Sequence, residues 1–188
     1  MSQTPLKYKE ITYVQMIPSE VNYIVELIKS MPENGLMVEW GCGGSTLKWL
    51  ETLTGNQRLI SIEHTSMWYQ KVNQVVQANF KDLGNRFIFI NQPNRSEFTH
   101  GYGVASEENP VGLTKYIHPT DEIYDADIYF IDGIARSTVA LSVFLKRKKK
   151  NSIVLIHDFI YRPEWYNVVG QFCNIELVDS LAILTLKE

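Results

Sequence analysis

The sequence predicts an α/β domain built on a mostly parallel β-sheet, and three features carry that expectation. Short apolar runs alternate with longer amphipathic stretches, the rhythm of parallel strands joined by crossover helices. The run Leu36-Met37-Val38-Glu39-Trp40-Gly41-Cys42-Gly43-Gly44-Ser45-Thr46 passes from an apolar strand through a glycine turn straight into a helix. The stretch from Ile175 to Leu186 divides at Asp179-Ser180 into two strands joined by a tight turn, which closes the sheet antiparallel. With 188 residues, the chain fits one domain with a sizeable core, spanning 1–188.

The elements follow in order. Pro18-Ser19 opens a helix to about Met31, with Val21, Ile24, Val25 and Ile28 on one face, and Asn34-Gly35 stops it. Residues 1–34 thus form an N-terminal arm and helix. Strand one is Leu36 to Trp40; the helix begun by Ser45 or Thr46 turns Leu47, Leu50 and Leu53 to the sheet and ends at Gly55-Asn56. Arg58 to His64 reads as strand two, and Trp68, Val72, Val75, Val76 and Asn79 trace the next helix. Arg86 to Asn91 is strand three. The 35 residues from Gln92 to Ala126 show little periodicity and are too long for a plain connection, which marks a lid or substrate-specificity insert. Asp127 to Gly133 is strand four, followed by a helix ending in Lys146 to Lys150. Ser152 to Asp158 is strand five, followed by a helix over Pro163 to Phe172.

Composition excludes more than it names. The chain is 45% hydrophobic and 21% charged with a net charge of -3, which gives no global pull toward nucleic acid. No nucleic-acid or membrane partner is expected, and the oligomeric state is not legible. The N-terminal residues lack a signal-like apolar core and no segment approaches the ~20 apolar residues of a membrane span, so a cytoplasmic protein is expected. Cys42 and Cys173 suit neither a disulfide framework nor a paired-cysteine metal site and read as reduced thiols.

The glycine turn carries the first chemical inference. Gly41 and Gly43 let a ligand lie against the main chain beside Cys42, Ser45 and Thr46. A dinucleotide pyrophosphate would want a third glycine at position 46 and no carboxylate nearby. A cofactor with a cationic amino-acid end tolerates Glu39, which is expected to face it; that points to S-adenosylmethionine. Glu39 can alternatively serve the following helix N-terminus. Glu63, 24 residues after Glu39 and flanked by His64, stands where a carboxylate can accept both hydroxyls of a ribose, or is a solvated strand end.

Strands four and five both end in acids. Methyl transfer is an in-line displacement at a sulfonium carbon and needs alignment plus a means of deprotonating the acceptor. His157 is the candidate base, with Asp132 or Asp158 orienting it. Alternatively, Asp132 and Asp158 bind a hard cation such as Mg2+ or another divalent ion, or His157-Asp158 only caps a helix.

Taken together, Glu39-Trp40-Gly41-Cys42-Gly43-Gly44-Ser45-Thr46, Glu63 and Asp132-Gly133 resemble the class I S-adenosylmethionine-dependent methyltransferases from Leu36 to the end. The Val38-to-Thr46 run with Ile131-Asp132-Gly133 and His157-Asp158-Phe159 resembles most a subgroup related to polysaccharide-modifying O-methyltransferases such as the xylan methyltransferases. The resemblance implies a Rossmann-like three-layer sandwich whose seven-stranded sheet has the order 3-2-1-4-5-7-6, with the last strand antiparallel and the cofactor across the ends of strands one, two and four. It also implies that Asn91, or Gln92, holds the adenine amino group, although amides there are often turn formers. The metal reading resembles catechol-type O-methyltransferases, but the asparagine they place after the second acid is Phe159 here. The alternatives are an NAD-linked oxidoreductase, disfavoured by Thr46 and Glu39, and a cofactor-binding regulatory domain without activity.

Acceptor contacts are read from cations and rings. Arg136 and Arg162 are placed to reach the same rim, where guanidinium groups suit a uronate or phosphate, or else they pair on the surface. Tyr102, Tyr116 and Tyr124, with His100 and His118, are positioned to stack on a saccharide or aromatic small-molecule acceptor, or to pack the insert. The Lys146 to Lys150 run falls at a helix C-terminus, where the helix dipole favours cations.

Overall fold

The computed structural model describes residues 11, 13–93 and 112–187. Strands β1 (Leu36–Trp40), β2 (Arg58–Glu63), β3 (Phe87–Asn91), β4 (Ile128–Ile131), β5 (Ile153–Ile156), β6 (Cys173–Val178) and β7 (Leu181–Leu186) form one sheet in the order β3-β2-β1-β4-β5-β7-β6. The first five run parallel, and β7 is antiparallel to both β5 and β6. The helices are α1 (Pro18–Ser30), α2 (Gly44–Thr52), α3 (Ser66–Asn79), α4 (Thr114–Ile117), α5 (Arg136–Lys146) and α6 (Pro163–Tyr166). Among the described residues, no helix is long and apolar enough to cross a membrane.

Both faces of the sheet are covered, so the central strands are apolar along their length. On one face Val38, Trp40, Tyr129, Ile131, Val154 and Ile156 pack with Val139 and Val143 of α5. On the other Met37, Leu59, Phe130 and Leu155 meet Ile24 and Ile28 of α1, Trp49 and Leu50 of α2, and Val72 and Val76 of α3. Each aliphatic side chain fully buried in these layers contributes ~1.5–3 kcal/mol relative to exposure. Every residue of β1 is buried, Glu39 included.

Three local expectations are revised. The ladders stop short of the acidic strand ends: β4 covers Ile128–Ile131, and Asp127 instead accepts the Leu36 N–H at 2.9 Å. The far end of the insert is not irregular, since α4 and a 3-10 turn over Asp121–Asp125 plug Tyr116, Ile117, Ile123 and Tyr124 into the core. The helix expected over 163–172 is two short pieces, α6 and a 3-10 turn at Val169–Gln171 that contains Gly170. Cys42 and Cys173 are free and buried.

Candidate active site

The glycine bend is braced from below. β1 delivers Glu39 to the face covered by α2, where its carboxylate is fully buried and accepts from Ser45 Oγ (2.7 Å), Thr46 Oγ1 (2.6 Å), Trp49 Nε1 (3.1 Å) and Ser61 Oγ (2.7 Å). Burial pushes its pKa up to about 7, against the lowering effect of the three hydroxyls. The expectation that Glu39 faces a ligand is therefore corrected: it ties β1, β2 and the first turn of α2 together. Ser45 and Thr46 are spent on the same task, and Thr46 Oγ1 also accepts the Gly43 N–H at 3.0 Å.

Gly41 has φ +88°, and a Cβ there would stand 2.6 Å from the backbone nitrogen of Gly133. The bend after β1 thus lies backbone to backbone on the loop after β4. Gly43 is different, because a Cβ there would meet nothing within 4 Å. It borders a cleft of about 240 Å3 lined by Tyr13–Met16, Cys42–Ser45, Trp68 and Asp132. The arm passes so close over Gly44 that a Cβ there would collide with the Tyr13 carbonyl. Trp68, from the first turn of α3, donates its indole N–H to the Cys42 carbonyl at 2.6 Å.

Glu63 closes the bend from the end of β2. It is only 3% exposed; one oxygen accepts the Cys42 N–H at 3.2 Å and the other the Thr65 N–H at 2.7 Å, with His64 Nδ1 3.1 Å away. Burial alone would raise its pKa, but His64 and the two backbone N–H groups outweigh it and hold the carboxylate below its ordinary value. It is not a solvated strand end. Cys42 Sγ lies 3.5 Å from the same carboxylate, and burial pushes that thiol far above its usual range. Register places Asn91 opposite Glu63; its amide donates to Ser66 Oγ at 3.2 Å while its buried Oδ1 has no hydrogen-bond donor.

The ends of β4 and β5 meet in an ion cluster beside the cleft. His157, 4% exposed, points Nδ1 at Asp132 Oδ1 (2.8 Å) and Nε2 at Glu20 Oε2 (3.4 Å) and Asp158 Oδ1 (3.5 Å). Burial disfavours the imidazolium, yet the three carboxylates prevail and raise the pKa of His157. His157, the candidate base, is thus enclosed among acids, held at Nδ1 by Asp132 and absent from the residues that line the cleft. Arg136, 7% exposed, donates to the Gly133 and His157 carbonyls and lies 3.3 Å from Asp132 and 3.6 Å from Asp158. It is an internal clamp rather than an acceptor-binding cation.

The metal expectation fares no better. Ligand atoms of Asp132, His157 and Asp158 lie within 4.8 Å of one another. The Arg136 guanidinium stands 3.3 Å from Asp132 and 3.6 Å from Asp158, so a divalent cation would compete there with a positive charge the chain itself supplies.

Of the remaining candidates, Tyr116 and Tyr124 are buried and pack the insert instead of stacking on an acceptor. Tyr116 rests its hydroxyl against the Gly133 loop, and His118 pairs with Tyr124. Arg162 is exposed at the start of α6. Tyr102 and His100 lie outside the described residues. Sequence reasoning missed Glu20, Trp68 and Tyr13–Met16. Glu20 alone carried a local signal, an acid three residues after Ile17, where it accepts the N–H at the helix entry at 3.0 Å.

No family model matches the chain, and no curated protein matches it. Solved structures match at the level of fold. A methyltransferase-like protein from Silicibacter pomeroyi superposes with a TM-score of 0.72 at 19% identity, over 93% of this chain and 88% of that one. The O-methyltransferase from Bacillus cereus in complex with SAH gives 0.62 at 10% identity, over 92% and 83%. The SAH-bound methyltransferase PaMTH1 of Podospora anserina gives 0.58 at 13% identity, over 90% and 78%. The architecture is therefore the Rossmann-like methyltransferase fold. Its particular chemistry in this chain is a matter for the residues of the cleft.

Proposed function

We propose that the chain is an S-adenosylmethionine-dependent methyltransferase that methylates a hydroxyl of a small-molecule or saccharide acceptor. One observation carries the reading: Glu63 holds an ionised carboxylate at the end of β2, turned onto the Cys42 N–H of a bend whose next residue, Gly43, opens on the cleft. A carboxylate so placed suits the paired hydroxyls of a ribose. The unpartnered Asn91 Oδ1 suits the adenine amino group one strand further out. The open backbone at Gly43 suits the amino-acid end. An NAD pyrophosphate is poorly served, because Thr46 already occupies the Gly43 N–H that a phosphate would use.

Asp132 then takes the chemical role. It lines the cleft and its side chain is 25% exposed, unlike His157. Bound S-adenosylmethionine would supply the methyl group for in-line displacement and end as S-adenosylhomocysteine (SAH), and Asp132 would take the proton of the acceptor hydroxyl. Arg136 and His157 orient Asp132 through its Oδ1.

Calorimetry with SAH and with NAD tests the cofactor half: SAH binding without NAD heat is expected, and NAD binding without SAH overturns the reading. For the reaction, labelled methyl transfer to a panel of phenols and sugars is measured for wild type and D132A. D132A should bind SAH normally and lose turnover; full turnover would remove Asp132 from the chemistry, and SAH binding without any transfer would favour a regulatory domain.

A further inference from the structure

Glu20 has no part in the chemistry above, yet like Glu39 it is a wholly enclosed carboxylate beside the site. It is 0% exposed, and its two oxygens are fully used. Oε1 accepts the Ser180 N–H (2.7 Å) and hydroxyl (2.6 Å) from the β6–β7 turn, while Oε2 accepts the Ile17 N–H and faces His157 Nε2 at 3.4 Å. Backbone and turn donors alone would satisfy a helix cap. They do not require that the second oxygen face an imidazole whose other nitrogen holds Asp132.

We propose that Glu20 is a positioning residue for Asp132, acting through His157: it fixes the imidazole from its far nitrogen so that the near nitrogen stays locked on Asp132 Oδ1. The proposal rests on the methyltransferase reading of the cleft. A carboxylate at a strand end rotates readily about its last bond. Here both contacts, His157 Nδ1 at 2.8 Å and Arg136 Nη1 at 3.3 Å, fall on the same oxygen, Oδ1. That defines the carboxylate plane and leaves Oδ2 as the oxygen offered to an acceptor. The groups facing the imidazole are Glu20 from α1, Asp132 after β4, Asp158 after β5, and Arg136 from α5, which caps the His157 carbonyl. Asp158 lies at 3.5 Å from Nε2 and is 37% exposed, so water screens it. Glu20 faces the same nitrogen at 3.4 Å and is wholly enclosed.

The test is the His157 Nδ1–H proton resonance in the full-length protein, recorded with and without SAH. Wild type should give a downfield, slowly exchanging signal, as a charge-assisted bond to a carboxylate does. In Glu20→Gln, which keeps the shape and removes the charge, the signal should move upfield and exchange roughly tenfold faster. Glu20→Asp retains the charge but withdraws it, and should shift the signal part of the way in the same direction, which keeps the question answerable if the glutamine variant fails to fold. Ser180→Ala loosens the turn without touching the charge and should leave the resonance in place. An unmoved signal in either folded Glu20 variant overturns the proposal. Failure of wild type to bind SAH would instead sink the methyltransferase reading, while the resonance still reports on the Glu20–His157–Asp132 linkage.

Discussion

Gly41→Ala and Gly43→Ala should separate the two roles of the glycine bend. At position 41 the backbone has φ +88°, and the new methyl would lie 2.6 and 2.7 Å from the backbone nitrogen and Cα of Gly133. Neither is a flexible side-chain end that can swing aside. Holding alanine at positive φ costs ~1–2 kcal/mol, and forcing an extra methyl into a packed contact costs ~1–3 kcal/mol. A loss of about 3 kcal/mol is therefore expected, which for a domain of this size lowers the melting temperature by roughly 6–12 °C. Position 43 has extended backbone and no atom within 4 Å of the added methyl. Gly43→Ala should unfold within about 0.5 kcal/mol of wild type and show its cost only as weakened SAH binding. Urea denaturation and calorimetry on both variants decide it. A Gly41→Ala protein as stable as wild type, or a Gly43→Ala protein with the larger stability loss, would refute the backbone-contact reasoning.

Further outcomes follow from the buried charges. Glu39 favours its protonated form in the fold, so stability present below its unfolded value of 4.5 is lost as pH rises through about 7; the full effect is about 3 kcal/mol, and Glu39→Gln should abolish that slope in a pH series of denaturation curves. His157 has a raised folded pKa, so its contribution is complete below pH 6.5 and fades as pH climbs past the folded value; His157→Gln should flatten the decline on the alkaline side, and an unchanged curve would show that the imidazole is neutral in the fold. Arg136→Ala removes the guanidinium that Asp132 and Asp158 share and leaves them only His157, so a loss of about 3 kcal/mol is expected in urea titrations; less than about 1 kcal/mol would mean that His157 and water suffice for the pair. Glu63→Gln should weaken SAH at least about tenfold while the protein stays folded, and unaltered affinity would remove Glu63 from the ribose site.

What the sequence disclosed was whatever repeats locally. Strand β1 begins and ends at Leu36 and Trp40 as the apolar run does, and α1 differs by one residue at its end. The glycine bend and the alternation of apolar faces were likewise visible because both are short-range patterns. Glu39 misled for a physical reason: an acid at a strand end looks ligand-facing until Ser61, 22 positions away, and Trp49 are seen to enclose it. The enclosure of His157 was hidden for a similar reason, since its companion Glu20 lies on the opening helix, far away in the chain. Pairings of that reach leave no periodic trace. The four residues of α4 are too few to show a helical period, so the plugging of the insert by Tyr116 was equally hidden.

The Glu20 contacts also bear on where this polypeptide can be cut. A version trimmed to begin at Leu36 would retain all seven strands and the glycine bend, yet the β6–β7 hairpin would lose its anchor at Ser180 and one flank of the imidazole would be bathed in solvent. The opening helix therefore belongs to the Asp132–His157 edge of the sheet as much as any strand does, and shortened versions made for expression should keep it.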